Sequence, residues 1–233
     1  MSGLSPEEVG IVLLSLRVAV VSVLCSLPIA ILAAYVLART RFPGKILVDA
    51  VVHLPLVLPP VVVGFALLVL FGKRGPIGGL LNDWFGIAFA FRWTGAALAS
   101  AIMGFPLMVR AIRLSIEAID RRLETAATTL GGSRAWVFAS ITLPLALPGI
   151  ITGVLLSFAR GLGEFGATIT FVSNIPGETE TLPLAIYSLT QVPGGDAQAL
   201  RLSIIAVVLS VLALVVSEWL TTRATKVQSD DRR

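Results

Sequence analysis

The chain has 233 residues, 56% hydrophobic and only 14% charged, with a formal net charge of +4 and a mean hydropathy of +0.91. Soluble domains carry about 25% charged residues, so the composition excludes a soluble globular protein and leaves a polytopic membrane protein whose solvent is the lipid bilayer. Its basic residues lie between apolar runs and not along one surface, which argues against a nucleic-acid partner. A lone Cys25 and a lone His53 exclude a disulfide framework and a metal site rich in either residue.

A membrane span needs about 20 apolar residues, and five candidates follow in chain order. Residues 1–8 hold Glu7 and Glu8 and no basic residue, unlike the positive start of a cleavable signal. The first run, 9–37, is interrupted only by Arg17 and Pro28. Arg17 can snorkel toward the nearer surface. Arg39, Arg41 and Lys45 then anchor the far end of that run. The second run, 51–71, contains Pro55, Pro59 and Pro60. Proline removes a donor and kinks a helix, so this run is either bent for packing or hinged beside a pathway, with His53 a residue near the helix end. Residues 72–86 carry glycines, Pro76, Trp84 and Phe85, the composition of a re-entrant or interfacial stretch. The third run, 95–109 or to 112, is weakened by Gly104 and Pro106.

Between the third and fourth runs lies the stretch LETAATTLGGSRAWVFASITLP, residues 123–144. Leu123, Ala126, Ala127 and Leu130 recur at one helical face. Gly131 and Gly132 stop that helix and Ser133 caps the next, which predicts a short helical hairpin on the water side with a shallow docking face. The fourth run, 145–172, contains Arg160 and Glu164 at i, i+4, on one helix face, with Gly163 and Gly166 beside them. Each charge inside a span costs about 2.5–3.5 kcal/mol on insertion scales, so the pair either locks helices together or lines a path. Residues 173–201 suggest a short helix at 182–191. The fifth run is 202–220, and the charged tail, 223–233, reads as disordered.

With the N-terminus outside, the inner segments carry twelve basic residues and the outer ones four. The positive-inside rule then puts the hairpin and the C-terminus in the cytoplasm. There is no G-x-x-x-x-G-K-[ST], no H-E-x-x-H and no Ser–His–Asp set, so the chain supplies neither ATP hydrolysis nor another catalytic centre. Five spans leave too little surface to enclose a path for a hydrated ion, which two copies on a two-fold axis would solve.

The spacing Ala126-Ala127, three residues, Gly131, nine residues, Ile141-x-Leu143-Pro144 resembles the cytoplasmic loop of importer-type ABC transporter permeases. In that family a glutamate usually precedes the alanines directly; here Thr125 stands there and Glu124 one residue earlier. Arg160-Gly161 to Thr168 resembles the A-R-G-x-G-E-F-G-A-T signature of permeases for molybdate, tungstate and sulfate. Leu54 to Pro60 and Phe42-Pro43-Gly44-Lys45 look like the same group, and the likeness covers about residues 9–220.

The resemblance implies an all-α integral membrane fold with five spans in one permease domain, residues 1–222, and a coupling loop at about 117–144. It implies coupling to an ATPase subunit through Glu124, Ala126, Ala127, Gly131, Ile141, Leu143 and Pro144, and a pathway or gate near Pro59, Pro60, Arg160, Gly163, Glu164, Phe165 and Gly166. It further implies a homodimer, two ATP-binding subunits, a soluble substrate-binding protein, no cofactor or metal in this chain, and a bacterial inner membrane. The small size looks most like the molybdate branch; sulfate, thiosulfate or tungstate is the alternative substrate. A secondary transporter or channel is the alternative of another class, disfavoured because no internal repeat is found.

Overall fold

The computed structural model describes residues 5–230. Helix α1 (Pro6–Arg39) opens with a capping box: Ser5 Oγ accepts the Glu8 N–H, and Glu8 Oε2 accepts the Ser5 N–H. A turn with Gly44 at φ +86° leads to α2 (Lys45–Val57). Leu58 is extended, as a residue before proline tends to be, and Pro60 sits in the first turn of α3 (Pro60–Phe71). The three sequential features Leu58-Pro59-Pro60 thus turn the chain by 113°. Then come α4 (Pro76–Phe85), α5 (Trp93–Glu117), α6 (Arg121–Thr129) and α7 (Arg134–Val137). One π turn, Phe138–Thr142, leads to α8 (Leu143–Leu145), followed by α9 (Leu147–Leu162), α10 (Gly166–Val172), α11 (Leu182–Thr190) and α12 (Asp196–Asp230).

Three helices are each long and apolar enough to cross a membrane: α1, α5 and the Asp196–Val216 part of α12. Two bent pairs, α2 with α3 and Arg134–Leu145 with α9, bring the number to five among the described residues. The expected run 145–172 is not one helix: it bends by 68° near Ala146 and stops at Leu162 before α10 begins. The third run is longer than expected, because Gly104 and Pro106 lie inside an unbroken α5. His53 lies within α2, where its Nδ1 faces the Asp49 carbonyl at 2.8 Å. The helix α12 continues through residues 223–230, where a disordered tail was expected; residues 231–233 lie outside the described residues.

The centre is a three-helix packing of α1, α5 and α9, made of unusually small side chains. Gly149, Gly153, Ser157 and Gly161 recur every four residues and form one stripe of α9. A Cβ on Gly153 would come 3.0 Å from the Met108 carbonyl, and one on Gly161 within 3.5 Å of Ser22 Oγ and 3.6 Å of Ser100 Cβ. On α1, Ala19, Ser22, Ser26, Ala30 and Ala34 are buried, with Ala19 and Ser22 facing Gly161. In a bilayer, where lipid tails are as apolar as leucine, such close approach supplies the dispersion energy that holds helices together. On α1 two buried serines satisfy their hydroxyls within the helix: Ser22 donates to the Ala19 carbonyl and Ser26 to that of Ser22.

At the end farthest from α6, Arg201 of α12 reaches Glu8 at 2.9 Å, and Ser15 of α1 accepts the Leu182 N–H of α11 at 2.7 Å. Arg17 lies 3.8 Å over the Trp93 ring at the start of α5, a cation–π contact consistent with the expected snorkelling. The 72–86 stretch forms α4, with Trp84 and Phe85 exposed.

The seam has a direct test. A side chain at Gly149 would overlap Ser115 and sit 2.8 Å from the Ala111 carbonyl, so Gly149→Leu must part α9 from α5. We expect it to lower the melting temperature of the solubilised protein by at least the equivalent of ~1–3 kcal/mol. Gly10→Ala, where a Cβ meets nothing within 4 Å, should leave melting unchanged.

Candidate functional site

Two constructions stand out, one at each end of α9. The first is the hairpin of α6 and α7. Asp120 caps α6 by accepting the Arg122 N–H at 2.9 Å. The helix closes where Gly132 N–H bonds the Ala127 carbonyl at 3.0 Å and Gly131 adopts φ +93°, a conformation that glycine alone adopts cheaply. Ser133 then accepts the Trp136 N–H at 3.2 Å and starts the second arm. Both the stop and the cap fall where the sequence predicts them.

Between the arms lies a groove of about 740 Å³, rimmed by Leu123, Leu130, Trp136 and Ile141 and floored by Ala127. Leu130 is 89% exposed and Trp136 55%. Burying one such side chain is worth about 1.5–3 kcal/mol, so the rim is a surface that gains by being covered. The four residues expected on one docking face divide: Ala127 is buried between the arms, while Ala126 stays exposed outside the groove.

Glu124 has a different place from its neighbours. Its carboxylate pairs with Arg39 Nε at 3.1 Å and accepts the Thr142 hydroxyl at 2.8 Å. Arg39 also donates to the Ile119 carbonyl at 3.2 Å. One side chain therefore joins α6 to the end of α1 and to the π turn that leads through Leu143 and Pro144 of α8 into α9. Arg113 makes a second, more exposed tie at this end, reaching Asp49 of α2 at 2.7 Å and Glu117 at 2.8 Å.

The second construction is a broken span. Helix α9 ends at Leu162, and Gly163 to Phe165 connect it to α10. Arg160 and Glu164 therefore do not share one helix, since glycine at 163 lets the backbone leave the helical path between them. They still pair, Nη1 to Oε2 at 2.6 Å, with the Glu164 side chain 1% exposed and Arg160 29%. The other carboxylate oxygen accepts the Ala167 N–H at 2.8 Å, so Glu164 is held by a guanidinium and by the positive start of α10.

The break abuts the other bent span. A Cβ on Gly166 would come 2.8 Å from Pro60 Cβ, and one on Gly64 2.5 Å from the Ala167 carbonyl. Pro59 forms the N-cap position of α3, and Phe165 packs on Tyr187 of α11 with ring centroids 5.1 Å apart. An apolar cavity of about 480 Å³ opens there, with Gly163, Phe165 and Tyr187 in its wall. Non-helical backbone at membrane depth is tolerated where it is buried in protein or lines a cavity. The structure thus gathers Pro59, Pro60, Arg160, Gly163, Glu164, Phe165 and Gly166 in one region. The hairpin residues form another, with the 16 residues of α9 between them.

Reading by sequence missed Arg39, Thr142 and Tyr187 as members of these sites, because each enters only through tertiary contact. Asp120 was readable: an aspartate directly before a helical run is a capping signal.

A family model described as "binding-protein-dependent transport system inner membrane component" matches residues 26–226. The molybdenum transport system permease protein of Escherichia coli K12 is 62% identical over 217 residues, which cover 93% of this chain and 95% of that protein. The sulfate transport system permease protein of Salmonella typhimurium is 38% identical over 183 residues, 78% of this chain and 66% of that one. A chain of a bacterial alginate ABC transporter, crystallised in complex with an alginate pentasaccharide-bound periplasmic protein, superposes with a TM-score of 0.74. At 20% identity it covers 95% of this chain and 81% of its own, and it shares the fold.

The Glu124 junction predicts a local effect. Glu124→Ala removes the partner of Arg39 and of Thr142 together, a loss of ~1–3 kcal/mol for the groups left unpaired. Limited trypsin digestion should then cut at Arg121, Arg122 and Arg134 several-fold faster than in the unaltered chain, with Thr142→Val giving a smaller change. Unchanged cleavage in Glu124→Ala would mean that the hairpin is held by something else.

Proposed function

The chain belongs to the family of binding-protein-dependent transport system inner membrane components, and on that premise we propose that it is the membrane-spanning permease of an ATP-driven molybdate importer. The observation that carries this reading is identity: 62% to a molybdenum permease across nearly the whole of both chains, against 38% to a sulfate permease. The chain is not an enzyme; hydrolysis of ATP belongs to a separate subunit. Two copies form the pathway, two ATP-binding subunits seat on the hairpin grooves, and a soluble binding protein delivers the anion at the opposite face. The N-terminus lies outside and the C-terminus inside, a reading supported by the twelve-to-four split of basic residues.

In mechanism, the rim of Leu123, Leu130 and Trp136 meets the ATP-binding subunit. Movement of that subunit passes through α6 and its Glu124 junction into the π turn, α8 and the rigid α9. At the other end of α9, Arg160 attracts the dianion while Glu164 offsets its charge, so that binding stays weak enough for release. The contact of Gly166 with Pro60 makes α10 and α3 shift together, and the breaks before each act as hinges.

Uptake into vesicles carrying the permease, the ATP-binding subunit and the binding protein tests the substrate. We expect ATP-dependent molybdate accumulation that excess sulfate does not abolish; sulfate uptake of equal or greater rate would overturn the assignment.

Gly131→Pro tests coupling. Proline fixes φ near −65°, incompatible with +93°, so the variant should insert in the membrane yet lose co-purifying ATP-binding subunit and transport. Normal co-purification with persistent uptake would remove the hairpin from the coupling role.

Arg160→Ala should abolish most uptake with assembly intact, and Glu164→Gln should be milder. If instead the double variant regains full uptake, the pair is a structural lock, since removing both members of a buried pair is often neutral while removing one costs about 3–5 kcal/mol.

A further inference from the structure

A second groove, of about 680 Å³, lies on the opposite face of α6 from the docking groove. Arg121, Glu124 and Thr128 give one wall, α1 another, and the second arm of the hairpin a third. Its two halves differ in chemistry. Leu32, Tyr35 and Phe138 make one half apolar, with the Tyr35 and Phe138 rings meeting edge-on at 4.9 Å. Leu32 is 63% exposed and lies seven residues before Arg39 inside the apolar run of α1, about 10 Å along the helix. The groove therefore runs from hydrocarbon depth up to the hairpin.

The other half is basic and uncompensated. Glu124, the one carboxylate in the lining, is taken by Arg39 and Thr142. Among the described residues Arg121 donates only to the neutral Ala38 carbonyl, at 3.3 Å. No acidic group pairs with Arg134 among the described residues. Two guanidinium groups without an acidic partner among the described residues thus stand at the hairpin end of an apolar furrow. Basic pockets beside apolar helix faces take anionic lipid headgroups, and guanidinium binds phosphate by paired, charge-assisted hydrogen bonds. A soluble subunit can cover Arg134 but cannot descend to Leu32, whereas a membrane lipid reaches both halves.

We propose that this groove is a specific site for one anionic phospholipid, its phosphate between Arg121 and Arg134 and an acyl chain against Leu32 and Phe138. The lipid then forms part of the wall that fixes α6 to α1, so its presence stiffens the hairpin beyond what the Glu124 junction provides.

The test is native mass spectrometry of the solubilised permease assembled with its ATP-binding subunits, titrated with phosphatidylglycerol or phosphatidylcholine of matched chains. We expect one phosphatidylglycerol per permease chain to be held at least tenfold more tightly than phosphatidylcholine. Arg134→Ala should weaken that binding about fivefold and Arg121→Gln with Arg134→Gln should remove the preference, following the value of about 1 kcal/mol per basic residue at a lipid surface. Arg134→Lys should retain most of it. The single variant reads the site even if the double one fails to assemble. Equal binding of the two lipids, or a preference unchanged in Arg134→Ala, overturns the proposal. So does displacement of the lipid by millimolar inorganic phosphate, which marks a free-anion site, or its release when the ATP-binding subunit docks, which gives the groove to that subunit.

Discussion

Between α5 and α9 the side chains nearly vanish. Gly149, Gly153, Ser157 and Gly161 bring the backbone of α9 against Ala111, Met108 and Ser100 of α5, and Ala19, Ser22 and Ala30 of α1 close the third side. A bilayer gives no hydrophobic reward for helix association, so the fold depends on this contact distance. Every other element is placed relative to it. The α3 and α10 pair leans on α5, α11 and α12 lean on α1 and α9, and the hairpin hangs from the lower ends of all three. Along the same seam α9 meets only backbone and short or unbranched side chains, Ser115, Met108, Ser100 and Ser22, which leaves little to rearrange.

At either end of α9 a glutamate is clamped between an arginine and a second donor. Glu124 holds Arg39 and the Thr142 hydroxyl; Glu164 holds Arg160 and the first turn of α10. Each carboxylate would cost several kcal/mol if left alone where it sits; Glu124 lies inside α6 and reaches the π turn through Thr142, while Glu164 lies in the break between α9 and α10. The two carboxylates therefore stand at the two ends of α9, one tied to the π turn before it and one to α10 after it. Glu8 with Arg201 repeats the device between α1 and α12. Carboxylates in this protein mark joints more than they mark chemistry.

How much of this was legible in the sequence follows from the range of the interaction. The stop at Gly131 and the cap at Ser133 are local: a positive φ and a hydroxyl three residues before its donor depend on neighbours only. The bend at Leu58 was legible for the same reason, since Pro59 and Pro60 act on adjacent backbone. The Arg160–Glu164 pair was found by spacing, and Gly163 and Gly166 allowed either tight contact or local unwinding; which of the two occurs follows from packing, as where Gly166 abuts Pro60 of α3. Glu124 could be singled out, but Arg39 stands 85 positions away and only packing brings them together. Ala127 was assigned to an outward face because periodicity cannot tell which side of a short helix another arm will cover.

In helix α1 the run from Val9 to Leu37 is 29 residues with a single charge, Arg17, about 43 Å at 1.5 Å per residue. The hydrocarbon core is about 30 Å thick. A helix longer than its solvent layer is accommodated by tilting, kinking or local thickening of the bilayer, and its tilt is set by packing against its neighbours, here α5 and α9. Because Arg39 at its foot carries the Glu124 junction, a change in that angle is also a change in where the hairpin sits. The packing that fixes the tilt of α1 therefore also fixes where the hairpin sits.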